Sequence, residues 1–208
     1  MALRTLELKP ARAGLTRTLV LLHGYGADEH DLLPIAHELD PRLRAVSLQG
    51  PISLGGASRA WFNLRMGPGG LSFDSEEVRA GVSAAVTAVE AIARESPRPI
   101  LLGFSQGAGV ALSVALRRPD LVSAVLSLSG VLRALDAADL GPADGLRGFP
   151  VFAAHGTQDP VVPIALGRAL RDELLRHELA IEWHEYPMGH MVLPDELTAA
   201  RSWISRHL

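Results

Sequence analysis

Ile100-Leu101-Leu102-Gly103-Phe104-Ser105-Gln106-Gly107 is the stretch on which the reading of this chain turns. Ile100–Leu102 is a very short apolar run, suited to a strand buried on both faces. G-x-S-x-G follows as Gly103-Phe104-Ser105-Gln106-Gly107, and a helical pattern opens at once over Gln106–Arg117. Strand, tight turn and helix together are the context that a nucleophile elbow requires. A serine hydroxyl is a poor nucleophile unless it is lifted into a pocket and deprotonated. A sharp turn lifts it, at the cost of a strained backbone. Flanking glycines are needed because side chains there would collide with the neighbouring strand and helix. The helix start also places backbone N–H groups beside the serine, where negative charge is favoured. Ser105 is therefore the candidate nucleophile; a tight turn with only a structural role is the alternative.

Outward from the elbow, apolar runs alternate with helical patterns. Thr18–Leu22 reads as a buried strand, Asp31–Leu39 as a short amphipathic helix and Arg44–Leu48 as a strand closed by Gly50-Pro51. Asp74 or Ser75 can cap a helix whose stripe runs Val78, Val82, Ala85, Val86, Val89, Ile92, ended by Pro97 and Pro99. Leu121–Leu128, Val151–Ala154 and Ala180–Tyr186 read as strands, Ile164–His177 and Glu196–Arg206 as helices, and Val131–Gly148 as an irregular connector with room for a helical part. The repeated β, α order predicts one three-layer α/β domain over 1–208 with a mostly parallel sheet. Ligands in such folds bind at the carboxyl ends of the strands.

The serine needs a base, and histidine is the usual one. In a strand–elbow–helix architecture the chain order is serine, acid, histidine. Of the five histidines after Ser105, His190 lies in the loop directly behind the strand Ala180–Tyr186, at the sheet edge that carries the elbow. His155 precedes any good acid, His177 and His184 lie in a helix end and a strand, and His207 is in the tail. Asp159, just past Val151–Ala154, is the candidate acid, which would hold the imidazole in the right tautomer. Asp136, Asp139 and Asp144 share the order but have no strand to aim them, and Asp195 follows the histidine. Oxyanion donors are expected from the backbone N–H of Gln106 and of Tyr25, in the first strand–helix loop His23-Gly24-Tyr25-Gly26. That loop lacks the third glycine of a dinucleotide fingerprint and the lysine of a P-loop. His23 is expected to brace it. No His-Glu-x-x-His occurs, and nothing in the spacing favours metal ligation by His155, Asp159 and His190.

These motifs resemble the phospholipase/carboxylesterase family of small, cap-less α/β-hydrolases that includes acyl-protein thioesterases. The match is carried by His23-Gly24-Tyr25-Gly26-Ala27-Asp28, the elbow, His155-Gly156-Thr157-Gln158-Asp159-Pro160-Val161-Val162-Pro163 and Gly189-His190. The resemblance implies an α/β-hydrolase fold without a large cap domain, no metal or other cofactor, and a triad of Ser105, Asp159 and His190. It implies a serine carboxylesterase acting on carboxylic esters, with lysophospholipids and acylated proteins among the family's substrates. Ala108 departs from the further glycine found in many members. A non-catalytic binder on the same fold, a peptidase and a dienelactone-type hydrolase are the alternatives. The last would usually carry a cysteine nucleophile.

The segment Ile52–Phe73 shows no helical or strand period and is expected to be one long loop. It carries Trp61, Phe62, Leu64, Met66, Leu71 and Phe73, more apolar side chains than a solvated loop would hold. It is expected to wall the acyl pocket, with Trp61 and Phe62 as substrate-binding residues; a small satellite core beneath the loop is the alternative. Such a pocket would favour short to medium acyl chains.

Composition narrows the rest. Of 208 residues 48% are apolar and 21% charged, as in an ordinary globular chain. With 20 basic and 23 acidic residues the net charge is −3, and no basic block points to nucleic acid. There is no cysteine, which removes disulfides and zinc–thiolate sites. The alternating start Met1–Pro10 is unlike a signal peptide, and no apolar run reaches the ~20 residues of a membrane span. The expected setting is the cytoplasm and the expected partner a small-molecule ester, without nucleic acid or stable membrane insertion; a homodimer stays open.

Overall fold

The computed structural model describes residues 3–14, 17–67, 70–132 and 139–208; for 66, 67, 70 and 71 only the backbone is described. In chain order the elements are β1 (Thr5–Leu8), β2 (Thr18–Leu22), α1 (Leu33–Leu39), β3 (Arg44–Leu48), β4 (Ile52–Gly55), β5 (Ser58–Ala60), β6 (Arg65–Gly67) and β7 (Gly70–Ser72). They continue as α2 (Ser75–Glu95), β8 (Ile100–Phe104), α3 (Gln106–Arg117), β9 (Ala124–Leu128), α4 (Ala143–Leu146), β10 (Pro150–Gly156), α5 (Ile164–Arg176), β11 (Ala180–Tyr186) and α6 (Pro194–Ser205).

The main sheet runs β1-β3-β2-β8-β9-β10-β11. Only the β1–β3 pairing is antiparallel; the others are parallel. The centre of the sheet is buried on both faces, which is why β2 and β8 read as near-continuous apolar runs rather than alternating ones. Side chains nevertheless divide by the period of two. Leu19 and Leu21 face a core shared with α1 and α6, built on Leu39, Leu43, Trp203 and Ile204. Val20 and Leu22 face the opposite core, with Val82, Val89, Leu112 and Leu170 from α2, α3 and α5. The result is an α/β-hydrolase fold: three layers, with the sheet between two sets of helices.

The stripe expected on α2 is the one that packs: Val78, Val82, Ala85, Val89 and Ile92 are buried. Asp74 is the cap, accepting from the N–H groups of Glu76 and Glu77 at 2.8 and 3.1 Å. That satisfies two amides that the first helical turn leaves without intrahelical partners.

One strand is not among the expected elements, and one expectation about the elements needs correction. Thr5–Leu8 is the antiparallel edge strand β1, joined to β3 partly by a two-point ion pair from Arg44 to Glu7 at 2.9 and 2.8 Å. The Ile52–Phe73 segment is not a single loop. It contains two short antiparallel hairpins, β4–β5 and β6–β7. Strands of three or four residues are too short to show a period. The β4–β5 turn uses Gly55 and Gly56 at φ +109° and +55°, a backbone region open to glycine. The side chains of Met66 and Leu71, and Asp136 in the 131–148 connector, lie outside the described residues.

Candidate active site

The elbow lies between β8 and α3, and Ser105 sits at φ 54°, ψ −118°. This strained backbone is held because both flanks are tightly fixed. The Ser105 N–H donates to the Leu128 carbonyl of β9 at 2.9 Å, and the Ser105 carbonyl accepts from Ala108 N–H at 3.1 Å. A Cβ on Gly103 would stand 2.3 Å from the Gly107 carbonyl oxygen, and one on Gly107 would stand 2.0 Å from that of Leu22. Glycine at both positions lets helix, strand and neighbouring strand close around the serine. Ala108 is fully buried and is accommodated because Gly130 opposite it has no side chain; a Cβ there would come within 2.9 Å.

The loops after β10 and β11 deliver the other two groups. The strands are parallel neighbours, with Gly156 beside Tyr186. Beyond them the loops stay bonded: Thr157 N–H donates to Tyr186 O at 2.8 Å and Gln158 N–H to Met188 O at 3.0 Å. A Cβ on Gly156 would lie 2.4 Å from Met188 O and 2.5 Å from Gly189 O, so glycine there lets the two loops meet. His190 spans the gap. Its Nε2 lies 2.8 Å from Ser105 Oγ and its Nδ1 lies 2.7 Å from Asp159 Oδ2. The Phe104 ring flanks the imidazole at 4.9 Å between centroids.

Asp159 is held from three sides. Its Oδ1 accepts from the N–H groups of Val161 and Val162, both at 2.8 Å, while Oδ2 faces His190. Burial alone pushes this carboxyl up, but the hydrogen bonds from His190, Val162 and Val161 outweigh it and hold it below the ordinary carboxylate value. Being acceptor-only when ionised, it leaves the proton of His190 on Nδ1 and frees Nε2 to accept from the serine.

Other sequence candidates fall elsewhere. His155 is buried with Nε2 2.8 Å from Val162 O and 3.7 Å from Asp159 Oδ2, so it borders the acid without reaching the serine. His177 and His184 pair with Glu173 and Glu182. His207 stacks on Trp203 at 4.1 Å. Asp139 pairs with Arg79, while Asp144 and Asp195 are exposed in the first turns of α4 and α6. Among the described residues the cluster with metal-ligand spacing is Asp28, Glu29 and His30, none of them in the triad.

Near the first strand–helix loop, a Cβ on Gly24 would lie 3.5 Å from Ser105 Cβ, so this loop abuts the elbow. The N–H groups of Tyr25 and Gln106 have no hydrogen-bond partner among the described residues. Gln106 has a second use that the sequence did not suggest. Its side-chain Oε1 accepts from Trp61 N–H at 2.9 Å, and its Nε2–H donates to Phe62 O at 2.8 Å. This amide is isosteric with a backbone ladder partner and ties the 52–73 segment to the elbow.

That tie also corrects the reading of Trp61. The side chain has 0% exposure and joins the α2–α3 core, with Nε1–H donating to His23 O at 2.9 Å. A ring with no accessible surface cannot line an open pocket; it anchors the segment from below. Phe62 is only partly buried and packs edge-on against exposed Phe73 at 5.7 Å.

The fold and the hydrogen-bonded serine–histidine–aspartate line are those of the serine hydrolases built on the α/β-hydrolase scaffold. The chain belongs to the phospholipase/carboxylesterase family, whose model matches residues 5–208. It is 29% identical over 235 residues to the acyl-protein thioesterase 1 of Mycosarcoma maydis, covering 98% of this chain and 97% of that protein. A carboxylesterase structure from Mesorhizobium loti superposes with TM-score 0.80 at 26% identity, over 93% of this chain and 90% of that one. The Bacillus cereus carboxylesterase, at 24% identity, shares the fold with TM-score 0.84 over 99% of this chain and 95% of that one. No helix among the described residues is long and apolar enough to cross a membrane.

Proposed function

We propose that the protein is a carboxylesterase that works through a covalent acyl-enzyme, with Ser105 as nucleophile, His190 as general base and acid, and Asp159 as the group that orients the imidazole. The observation that carries this reading is the pair of hydrogen bonds joining Ser105 Oγ, His190 and Asp159 at 2.8 and 2.7 Å. In the first half-reaction Ser105 Oγ attacks the ester carbonyl carbon as its proton passes to His190 Nε2. The tetrahedral oxyanion is met by the N–H groups of Tyr25 and Gln106. The C–O bond to the alcohol breaks as His190 returns the proton to the leaving oxygen. Water repeats the cycle, releasing the acid and restoring the serine. No step calls for a metal or another cofactor.

The substrate class is short- to medium-chain carboxylic esters, and the thioesterase relatives extend it to thioesters and lysophospholipid-like acyl esters. We place the acyl wall at Phe62, whose carbonyl is bonded to the residue after the nucleophile. One domain over 1–208, a small-molecule substrate and a cytoplasmic setting belong to the same reading. Ser105→Ala is expected to stay folded and to lose about 10⁴–10⁶ in kcat/KM on a chromogenic ester, or roughly 5–8 kcal/mol of transition-state stabilisation. A variant that keeps a tenth of its activity would end the proposal.

A further inference from the structure

His23 is fully buried beside the elbow, and no step above uses it. Its tautomer is set by its neighbours. Gly50 N–H donates to Nε2 at 2.9 Å, so that nitrogen accepts and the ring proton sits on Nδ1. Nδ1–H in turn donates to the Gly24 carbonyl at 2.8 Å, the shorter of the two bonds to that oxygen, the other coming from Ala27 N–H at 3.3 Å. Burial lowers the pKa of the ring, against the opposing influence of the Gly24 bond and the charges of Asp28, Asp31 and Glu29, which keeps it neutral. The Trp61 ring lies 5.6 Å away, and Trp61 Nε1–H holds the carbonyl of His23 itself at 2.9 Å. Ring and backbone are both fixed.

The Gly24 carbonyl and the Tyr25 N–H belong to one planar trans peptide unit and point in opposite directions. Whatever pins that carbonyl aims that N–H. The N–H has no partner among the described residues, in a loop that touches Ser105. We propose that His23 is a positioning residue of the oxyanion hole: as the Nδ1–H tautomer it pins the Gly24 carbonyl and so turns the Tyr25 N–H toward the oxygen that gains charge when Ser105 attacks. The proposal rests on the catalytic reading given above. It extends it by making hydrogen bonding outside the site responsible for one of the two donors.

Two substitutions separate the bonds. The amide of His23→Asn lies near the place of Nδ1 and can still donate to Gly24 O, but does not reach Gly50. The longer side chain of His23→Gln can accept from Gly50 N–H and leaves the Gly24 carbonyl with only the longer bond from Ala27 N–H at 3.3 Å. Losing an oxyanion donor costs about 10²–10³ in rate, so His23→Gln is expected to lower kcat roughly ten- to hundredfold with KM within about twofold. His23→Asn is expected to keep kcat within about threefold of the starting enzyme. A His23→Gln protein as fast as His23→Asn, or a loss confined to KM, overturns the proposal. The unsubstituted protein gives a reading that does not depend on variant folding: ¹⁵N spectra of the His23 ring should show Nδ1–H, and an Nε2–H tautomer refutes the proposal. Ser105→Ala measured in parallel keeps the two levels apart. If it remains active, the catalytic reading fails and this proposal with it. If it is inactive while the two His23 variants match, this proposal alone fails.

Discussion

At φ 54° and ψ −118°, Ser105 occupies a backbone region that costs a residue with a Cβ about 1–3 kcal/mol. The surrounding close packing of Gly103, Gly107 and β9 holds it there, because an unstrained serine would leave the position from which Oγ meets His190. On the proposed mechanism, stability and activity are therefore opposed at this one residue. Ser105→Gly and Ser105→Ala should both be inactive, and Ser105→Gly should be the more stable by about 1 kcal/mol in urea unfolding. Equal stability, or a more stable alanine variant, would show that the turn carries no strain. The elbow was legible in the sequence because its glycines, its serine and the switch from strand to helix are all local. The Gln106 clamp was not, because its partners Trp61 and Phe62 lie more than forty residues away in the chain.

Among the elements, α6 carries a buried charge problem. Glu196 has 0% exposure, accepts from Leu193 N–H at 3.2 Å through Oε2, and leaves Oε1 without a partner among the described residues. Burial raises its carboxyl from 4.5 to about 7. Between those two values the folded state holds a proton that the unfolded chain has released, so stability falls as pH rises through that window and levels off above it. The cost above pH 7 is on the order of 3 kcal/mol. Glu196→Gln keeps the acceptor for Leu193 N–H and removes the charge. It is expected to gain about 2–3 kcal/mol in denaturant unfolding at pH 8 and under about 1 kcal/mol at pH 5; a gain independent of pH would contradict this.

The 52–73 segment makes a separate prediction. Trp61→Ala opens a cavity and strands the His23 carbonyl, so a loss of about 3–5 kcal/mol is expected. Phe62→Ala should leave the fold and acetate turnover nearly unchanged while flattening the gain along an acyl series, ordinarily up to about 0.8 kcal/mol per buried methylene. If Phe62→Ala scales every ester equally, the acyl wall lies elsewhere. The period-based reading placed the helices and buried strands well: β2, β3, α3 and β11 carry the bounds read from sequence. It failed at β1 and at β4 to β7, where strands are at an edge or only three to four residues long and their pairing is set by distant contacts.

For the whole molecule, the alternation of strand and helix sufficed for a layered parallel sheet, since each central strand must be apolar on both faces. The order β1-β3-β2-β8-β9-β10-β11 was not legible, because which strands neighbour one another depends on contacts across the chain. That order has a functional consequence. It sets β8, β9 and β10 side by side with β11, so three separate turns open on one sheet edge and bring Ser105, Asp159 and His190 together from positions up to 85 residues apart. The chain order serine, acid, histidine singles out these three residues as candidates, and only the packed sheet supplies their distances. The central claim is that this convergence makes Ser105 nucleophilic, and it is tested most directly by intact-protein and peptide mass spectrometry after exposure to a fluorophosphonate. One adduct per chain is expected, on the peptide that contains Ser105, with loss of ester hydrolysis in proportion to labelling and no adduct on Ser105→Ala. An unlabelled Ser105 in a protein that still hydrolyses esters would contradict it.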